Sequence, residues 1–129
     1  GNLKDGKKDG YWTIWYSNGQ KKSQETHKDG ELDGLATGWY ENGQIKSKGT
    51  YKDGEKDGKW TGWYPNQQKK FEVTYKDGKK EGLWVEWYDN GQKRQEGNYI
   101  KGVRDGKWIL WTQNGKKKSK TKWKNGIKK

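Results

Sequence analysis

The chain has no cysteine, no methionine, one proline, one histidine and one phenylalanine among 129 residues. Without cysteine there is no disulfide, no thiolate nucleophile and no thiolate-held metal, and the cytoplasm and the outside of a cell remain equally compatible compartments. No apolar run approaches the roughly 20 residues that span a bilayer, and no stretch reads as a signal peptide. Hydrophobic residues make up only 26% and charged residues 36% of the chain, with a net charge of +12 and a mean hydropathy of −1.64, a composition usually associated with disorder. The ten Trp and eight Tyr contradict that reading. Each ring can bury about 150–250 Å², so a core built from rings rather than aliphatic side chains is expected.

The chain divides without gaps into five copies of 24 residues, 4–27, 28–51, 52–75, 76–99 and 100–123, and partial copies flank them at both ends. Residues 1–129 therefore read as a single repeat domain. Gly recurs every few residues and no 3.6-residue apolar stripe survives it, so helix is excluded. Each copy reads as strand, turn, strand. The aromatic and β-branched stretch from Tyr11 to Tyr16 leads to Asn18-Gly19, a hairpin signal, and Lys-Asp-Gly turns the chain back after the second strand. The third copy has Gln67 where the others have Gly, which predicts a strained or altered turn. The expected fold is all-β: an elongated array of β-hairpin repeats forming a continuous, twisted antiparallel meander sheet.

A two-residue turn at Asn18-Gly19 would set Tyr16 opposite Lys21, Trp15 opposite Lys22 and Trp12 opposite Glu25. Side chains alternate between faces and 24 is even, so like residues line up in rows along the sheet. One face would carry Trp12, Trp60, Trp84 and Trp108, the Tyr row 16, 40, 64 and 88, and the row His27, Tyr51, Tyr75, Tyr99 and Trp123, with Gly38, Gly49, Gly62 and Gly97 leaving room for the rings. This is the expected core side. The other face would carry Trp15, Trp39, Trp63, Trp87 and Trp111, opposite Lys22, Lys46, Lys70, Arg94 and Lys118. Two tight turns per copy displace each row by two residues, so the sheet must shear or bulge. The second connector glycine, at Gly10, Gly34, Gly58, Gly82 and Gly106, is the expected bulge.

The recurring frame of Asp-Gly-x-x-Asp-Gly-x-Trp-x-x-Trp-Tyr-x-Asn-Gly and a closing Tyr resembles the variant form of the MORN repeat, found in bacterial proteins that include the YwqK-type antitoxin-like family. The resemblance covers the whole chain. It implies an elongated ladder of hairpins acting as a binding or scaffolding surface, and MORN arrays in eukaryotes imply membrane phospholipid attachment or protein assembly as roles. The copies depart from the frame at Ala36 for Trp, Gln67 for Gly and Thr112 for Tyr.

Catalytic chemistry finds no footing in these residues. His27 stands in the place of Tyr51, Tyr75 and Tyr99 and reads as a stacking ring, with no partner to make it a general base. The Ser residues lack a nucleophile-elbow context. The connector Asp residues read as turn formers rather than calcium ligands, because Lys fills the places between them and no closing Glu follows. No enzyme activity, metal or cofactor is expected.

Net charge is uneven: the copies carry +2, −1, +1, 0 and +7, and residues 124–129 a further +3. Lys101, Lys116, Lys117, Lys118, Lys120, Lys122 and Lys124 form a candidate anion-binding set, for the phosphates of acidic lipid or nucleic acid or for an acidic protein. Lysine on a terminal strand also protects a sheet edge from pairing, the competing explanation. The row Trp15, Trp39, Trp63, Trp87 and Trp111 is the candidate partner-binding surface. A protein is the leading partner expectation, with anionic lipid or nucleic acid as the alternative and glycan or choline binding on the aromatic rows behind both; oligomeric state stays open.

Overall fold

Two kinds of turn alternate along the chain, and between them they build the sheet. The computed structural model describes residues 1–129: thirteen antiparallel strands in one open sheet, and no helix. The strands are β1 (Asn2–Lys4), β2 (Lys7–Trp15), β3 (Lys21–Lys28), β4 (Glu31–Trp39), β5 (Ile45–Lys52), β6 (Glu55–Trp63), β7 (Lys69–Lys76), β8 (Lys79–Lys80), β9 (Gly82–Trp87), β10 (Lys93–Ile100), β11 (Val103–Trp111), β12 (Lys117–Lys124) and β13 (Ile127–Lys128). Each pairs with its neighbours in sequence, a pure meander; β8 and β9 are one strand interrupted at Glu81.

At the connectors, Asp5 and Gly6 have φ of 51° and 75°, and Lys4 pairs with Lys7 around them, a two-residue turn of type I′. The same turn recurs at each connector. At the other end of the hairpin the turn is longer than the two residues expected. Gly19 N donates to Tyr16 O and Tyr16 N to Gln20 O, while Asn18 Oδ1 accepts from Gln20 N. Only Gly19 takes positive φ, so this is a three-residue loop, a type I turn closed by a left-handed residue. One extra residue at Lys22 then restores the count, because Trp15 pairs with Lys21 but Ile14 with Ser23. Trp12 consequently faces Glu25 as expected, whereas Trp15 does not face Lys22.

The third copy makes the same turn despite its Gln. Gln67 sits at φ 73° and donates its N–H to Tyr64 O, while Pro65 occupies the turn position that its fixed φ suits. The turn is therefore strained rather than of another type.

Bulges form at Gly34, Gly58, Gly82 and Gly106 as expected, whereas Gly10 has φ 78° but the pairing of β1 with β2 carries no register shift. Glu25 pairs with Ala36 but His27 with Leu32, so Asp33-Gly34-Leu35 oppose the single Thr26, and Gly34 has φ 112°. The excess of two residues cancels the two-residue displacement, and the rows run straight: Trp12 to Glu25 to Ala36 to Gly49 along one line of pairs.

Most of the buried residues lie on the face of this row: Ala36, Trp60, Val73, Trp108 and His27. Ala36, Trp60 and Val73 pack together under Tyr51, Phe71, Tyr75 and Trp84. Thr61 and Val85 are buried on the opposite face, so the second face is wetter without being wholly open. Only ten of 129 residues are buried, as a single layer dictates.

Gln67→Gly should raise stability by about 1 kcal/mol, since a non-glycine residue at this φ carries a strain that glycine lacks. Urea denaturation followed by Trp fluorescence measures it, and an unchanged midpoint would show that the loop relaxes around Gln67 at no cost.

Candidate functional site

Each row Trp lies across the strand that precedes it. A Cβ built on Gly49 would come within 2.1 Å of the Trp60 ring, and one on Gly97 within 2.1 Å of Trp108. The indole occupies the space that glycine leaves, and its Nε1 donates to Thr50 O in one copy and Asn98 O in the other. Gly62 leaves room in the same way for Phe71, but Gly38 faces only Ser47 and accommodates no ring. Where the residue beneath is Val73, Trp84 stacks instead on Phe71, at 5.6 Å between centroids and 12° between planes. The closing Tyr51 and Tyr99 meet Trp60 and Trp108 edge-on at 5.1 and 5.0 Å. His27 meets Trp12 at 6.3 Å in the same arrangement, and its Nδ1, like Trp12 Nε1, is buried without a hydrogen-bond partner.

Above these rings lie cations supplied by the connector side of each copy: Lys8 over Trp12, Lys56 over Trp60 and Tyr75, Lys80 over Trp84 and Tyr99, Arg104 over Trp108 and Trp123. Their charged ends lie 4.4–4.8 Å from the centroids of the four row indoles, a cation–π contact. The Tyr row stitches successive copies together, the hydroxyls of Tyr16, Tyr40, Tyr64 and Tyr88 donating to the carbonyls of Trp39, Trp63, Trp87 and Trp111 at 2.6–2.7 Å. Burial raises the Tyr40, Tyr51, Tyr64 and Tyr75 hydroxyl pKa values above the usual 10.0, with smaller pushes from neighbours such as Tyr16 on Tyr40 and Glu25 on Tyr51.

The second Trp row occupies the opposite face. Trp15 is 57% exposed and Trp39, Trp63, Trp87 and Trp111 are half-buried. The pairs Trp15–Lys21, Trp39–Ile45, Trp63–Lys69, Trp87–Lys93 and Trp111–Lys117 make a line of indoles alternating with mostly cationic side chains. Lys21 reaches over Trp39, Lys69 over Trp87 and Lys93 over Trp111. The expected cations are displaced from this row: the extra residue of each loop turns Lys22, Lys46, Lys70 and Arg94 over the Tyr rings instead. Lys21, Lys69 and Lys93 were missed by counting through a two-residue turn; an alignment of the copies alone does not reveal the loop length. Beside Lys69, Glu72 is bonded by Lys59 at 3.0 Å and Lys69 at 2.9 Å. Burial pushes its carboxyl pKa up, but those two cations outweigh it and hold the value below 4.5.

The candidate anion-binding lysines do not form one patch. Lys116, Lys117 and Lys118 stand at the long-loop edge, and Lys101 and Lys124 at the connector edge. Lys101 sits in a turn at φ 49°, its backbone N–H donating to Glu81. Lys120 and Lys122 lie between, paired with Ile109 and Lys107 on the face of the second Trp row. The strand that carries them is about 23 Å long, so the lysines from 116 to 124 form a stripe along β12 while Lys101 stands apart in the turn between β10 and β11. No group of His, Asp and Glu gathers that could hold a metal ion, and no helix is long and apolar enough to cross a membrane.

An open, single-layer ladder of near-identical hairpins, each touching only its neighbours, defines a repeat protein. The chain belongs to the MORN repeat variant family, whose model matches residues 8–29, 32–53, 56–77, 80–101 and 104–125. As such it is a repeat-based interaction module, of a family that is in general non-enzymatic. No curated protein matches the chain. Among solved structures, a GtfA/B complex bound to UDP and GlcNAc aligns with 83% of this chain at 12% identity and a TM-score of 0.32. The alignment spans only 21% of that chain, and at this TM-score the likeness shows neither a shared fold nor a shared ligand.

Gly97→Ala should cost about 1–3 kcal/mol, the usual range for overpacking, because Trp108 must leave its place and its bond to Asn98 O. Thermal denaturation reads the loss. The raised Tyr values set a pH dependence. A folded-state pKa above the unfolded one leaves the contribution whole below pH 10.0 and removes it as pH rises through the folded values. Stability should therefore fall in alkali, and absorbance titration should show some phenols ionising only with unfolding; ionisation of all of them at the ordinary pKa would contradict this.

Proposed function

We propose that the chain docks an acidic protein segment along the second Trp row. The observation that carries this is the alternation on one open face of Trp15, Trp39, Trp63, Trp87 and Trp111 with Lys21, Lys69, Lys93 and Lys117, at a period set by the sheet. Half-exposed indoles supply apolar area; between them Lys21 and Lys117 make no ion pair and supply complementarity to carboxylates, while Lys69 and Lys93 already meet Glu72 and Glu96 at 2.9 and 3.2 Å and would share their charge with a partner. Lys120, Lys122 and Lys107 prolong the positive field at one end of the same face. The first Trp row is less suited to docking, since its rings are covered by side chains of the chain itself. An antitoxin-like role would be one instance of this reading, its partner an acidic surface of another protein.

The alternative is a phosphate ligand, acidic phospholipid or nucleic acid, held by the β12 lysines. The two separate by salt dependence and by which residues matter. The probes are poly-L-glutamate, phosphatidylserine vesicles, and single-stranded and duplex DNA, at about 50 and 200 mM salt, where counterion release distinguishes phosphate contacts. The expected result is binding of poly-L-glutamate that weakens about tenfold in Trp63→Ala and Trp87→Ala, a change of about 1.4 kcal/mol, with β-sheet circular dichroism unchanged. Binding of vesicles or DNA that is steeply salt-dependent and lost only on neutralising Lys116, Lys117, Lys118, Lys120 and Lys122 would replace this reading with the phosphate one. Binding of no probe would overturn both.

A further inference from the structure

The second copy departs from the other four at two places, and the sheet sets a residue of the first copy, Glu25, against them. Ala36 stands where Trp12, Trp60, Trp84 and Trp108 stand. Leu32 stands where the ring-covering cations Lys8, Lys56, Lys80 and Arg104 stand. Glu25, paired with Ala36, holds the place under the indole that Gly49 and Gly97 hold under Trp60 and Trp108. The second copy has thus lost both its indole and its cation, and the preceding copy places a carboxylate beneath the gap.

The result is a notch of about 140 Å³ on the first Trp-row face, lined by Glu25, Ala36, Tyr51 and Trp60, with Ser23 and Ser47. Tyr51 carries no cation over it, unlike Tyr75, Tyr99 and Trp123, and it meets Trp60 in a T-shaped contact at 5.1 Å. Glu25 makes no ion pair. Every other copy fills this place from within, with a ring and a positive side chain above it.

We propose that the notch binds the guanidinium of an arginine side chain from a partner polypeptide. A planar guanidinium stacks on aromatic faces and forks onto a carboxylate, which a compact ammonium cannot do equally well. The volume equals that of about four or five waters, enough for the guanidinium and part of its stem. The overall charge of +12 does not forbid this. The second copy is itself negative, and at physiological salt more distant charges are screened within about 8 Å. The site lies on the face opposite the second Trp row and stands or falls independently of the docking proposed there.

The test is a two-dimensional amide NMR titration with N-acetyl-L-arginine amide at about 150 mM salt, a physiological ionic strength, against the neutral isostere N-acetyl-L-citrulline amide. The expected result is a saturable shift of the Trp60 indole N–H and of the amides around residues 23–25, 36–38 and 51, given by the arginine compound and not by citrulline. Glu25→Gln should weaken it about tenfold, and Ala36→Trp, which refills the place, should abolish it. The dispersion of the spectra shows that each variant remains folded, and Glu25→Gln, which changes no volume, decides the matter if Ala36→Trp is perturbed. No saturable shift, an equal response to citrulline, or undiminished binding by Glu25→Gln overturns the proposal.

Discussion

Straight rows depend on one local excess of chain. The type I′ connector and the three-residue loop with its bulge would together slide every row by two residues per copy. The Asp33-Gly34-Leu35 bulge, and its counterparts at Gly58, Gly82 and Gly106, take up that slide. Without it, Trp60 would not lie over Gly49 and the Tyr64 hydroxyl would not reach the Trp87 carbonyl. Ring packing, hydroxyl ladder and cation coverage all inherit this register.

With register fixed, a single layer can hold itself together despite having no second layer to pack against. An indole lying flat across a glycine buries its lower face on backbone, and a closing Tyr covers its edge. The charged end of Lys56 or Arg104 then lies over the ring. High charge and low mean hydropathy are therefore compatible with a fold here, because lysine and arginine serve as the outer lining of the aromatic rows.

The period, the strands, the core side and the bulging glycines were all legible in the sequence, because each rests on a residue type with a narrow conformational meaning: glycine at positive φ, or a ring alternating with polar neighbours. The loop length was not. Asn-Gly is compatible with both a two-residue turn and a type I turn closed by Gly19, and the local sequence does not separate them. That one residue decided which cations cover the second Trp row, so Lys22, Lys46, Lys70 and Arg94 were placed on the wrong rings while the five Trp positions stood on the expected face. The spread of the C-terminal lysines over both edges was hidden for a different reason: closeness in sequence along a strand is distance in space.

Repetition also determines where specificity can reside. Positions that maintain register and ring packing leave little freedom: Gly97 cannot gain a side chain without displacing Trp108, and the Tyr hydroxyls are tied to the next copy. What can vary from copy to copy is the pairing of an indole with the residue beneath it and the cation above it. Gly with Trp and Lys gives a sealed row, Val73 turns Trp84 onto Phe71, and Glu25 with Ala36 and Leu32 opens a notch. The three arrangements share one backbone, so a ladder of this kind can change what it recognises one hairpin at a time without altering how it folds.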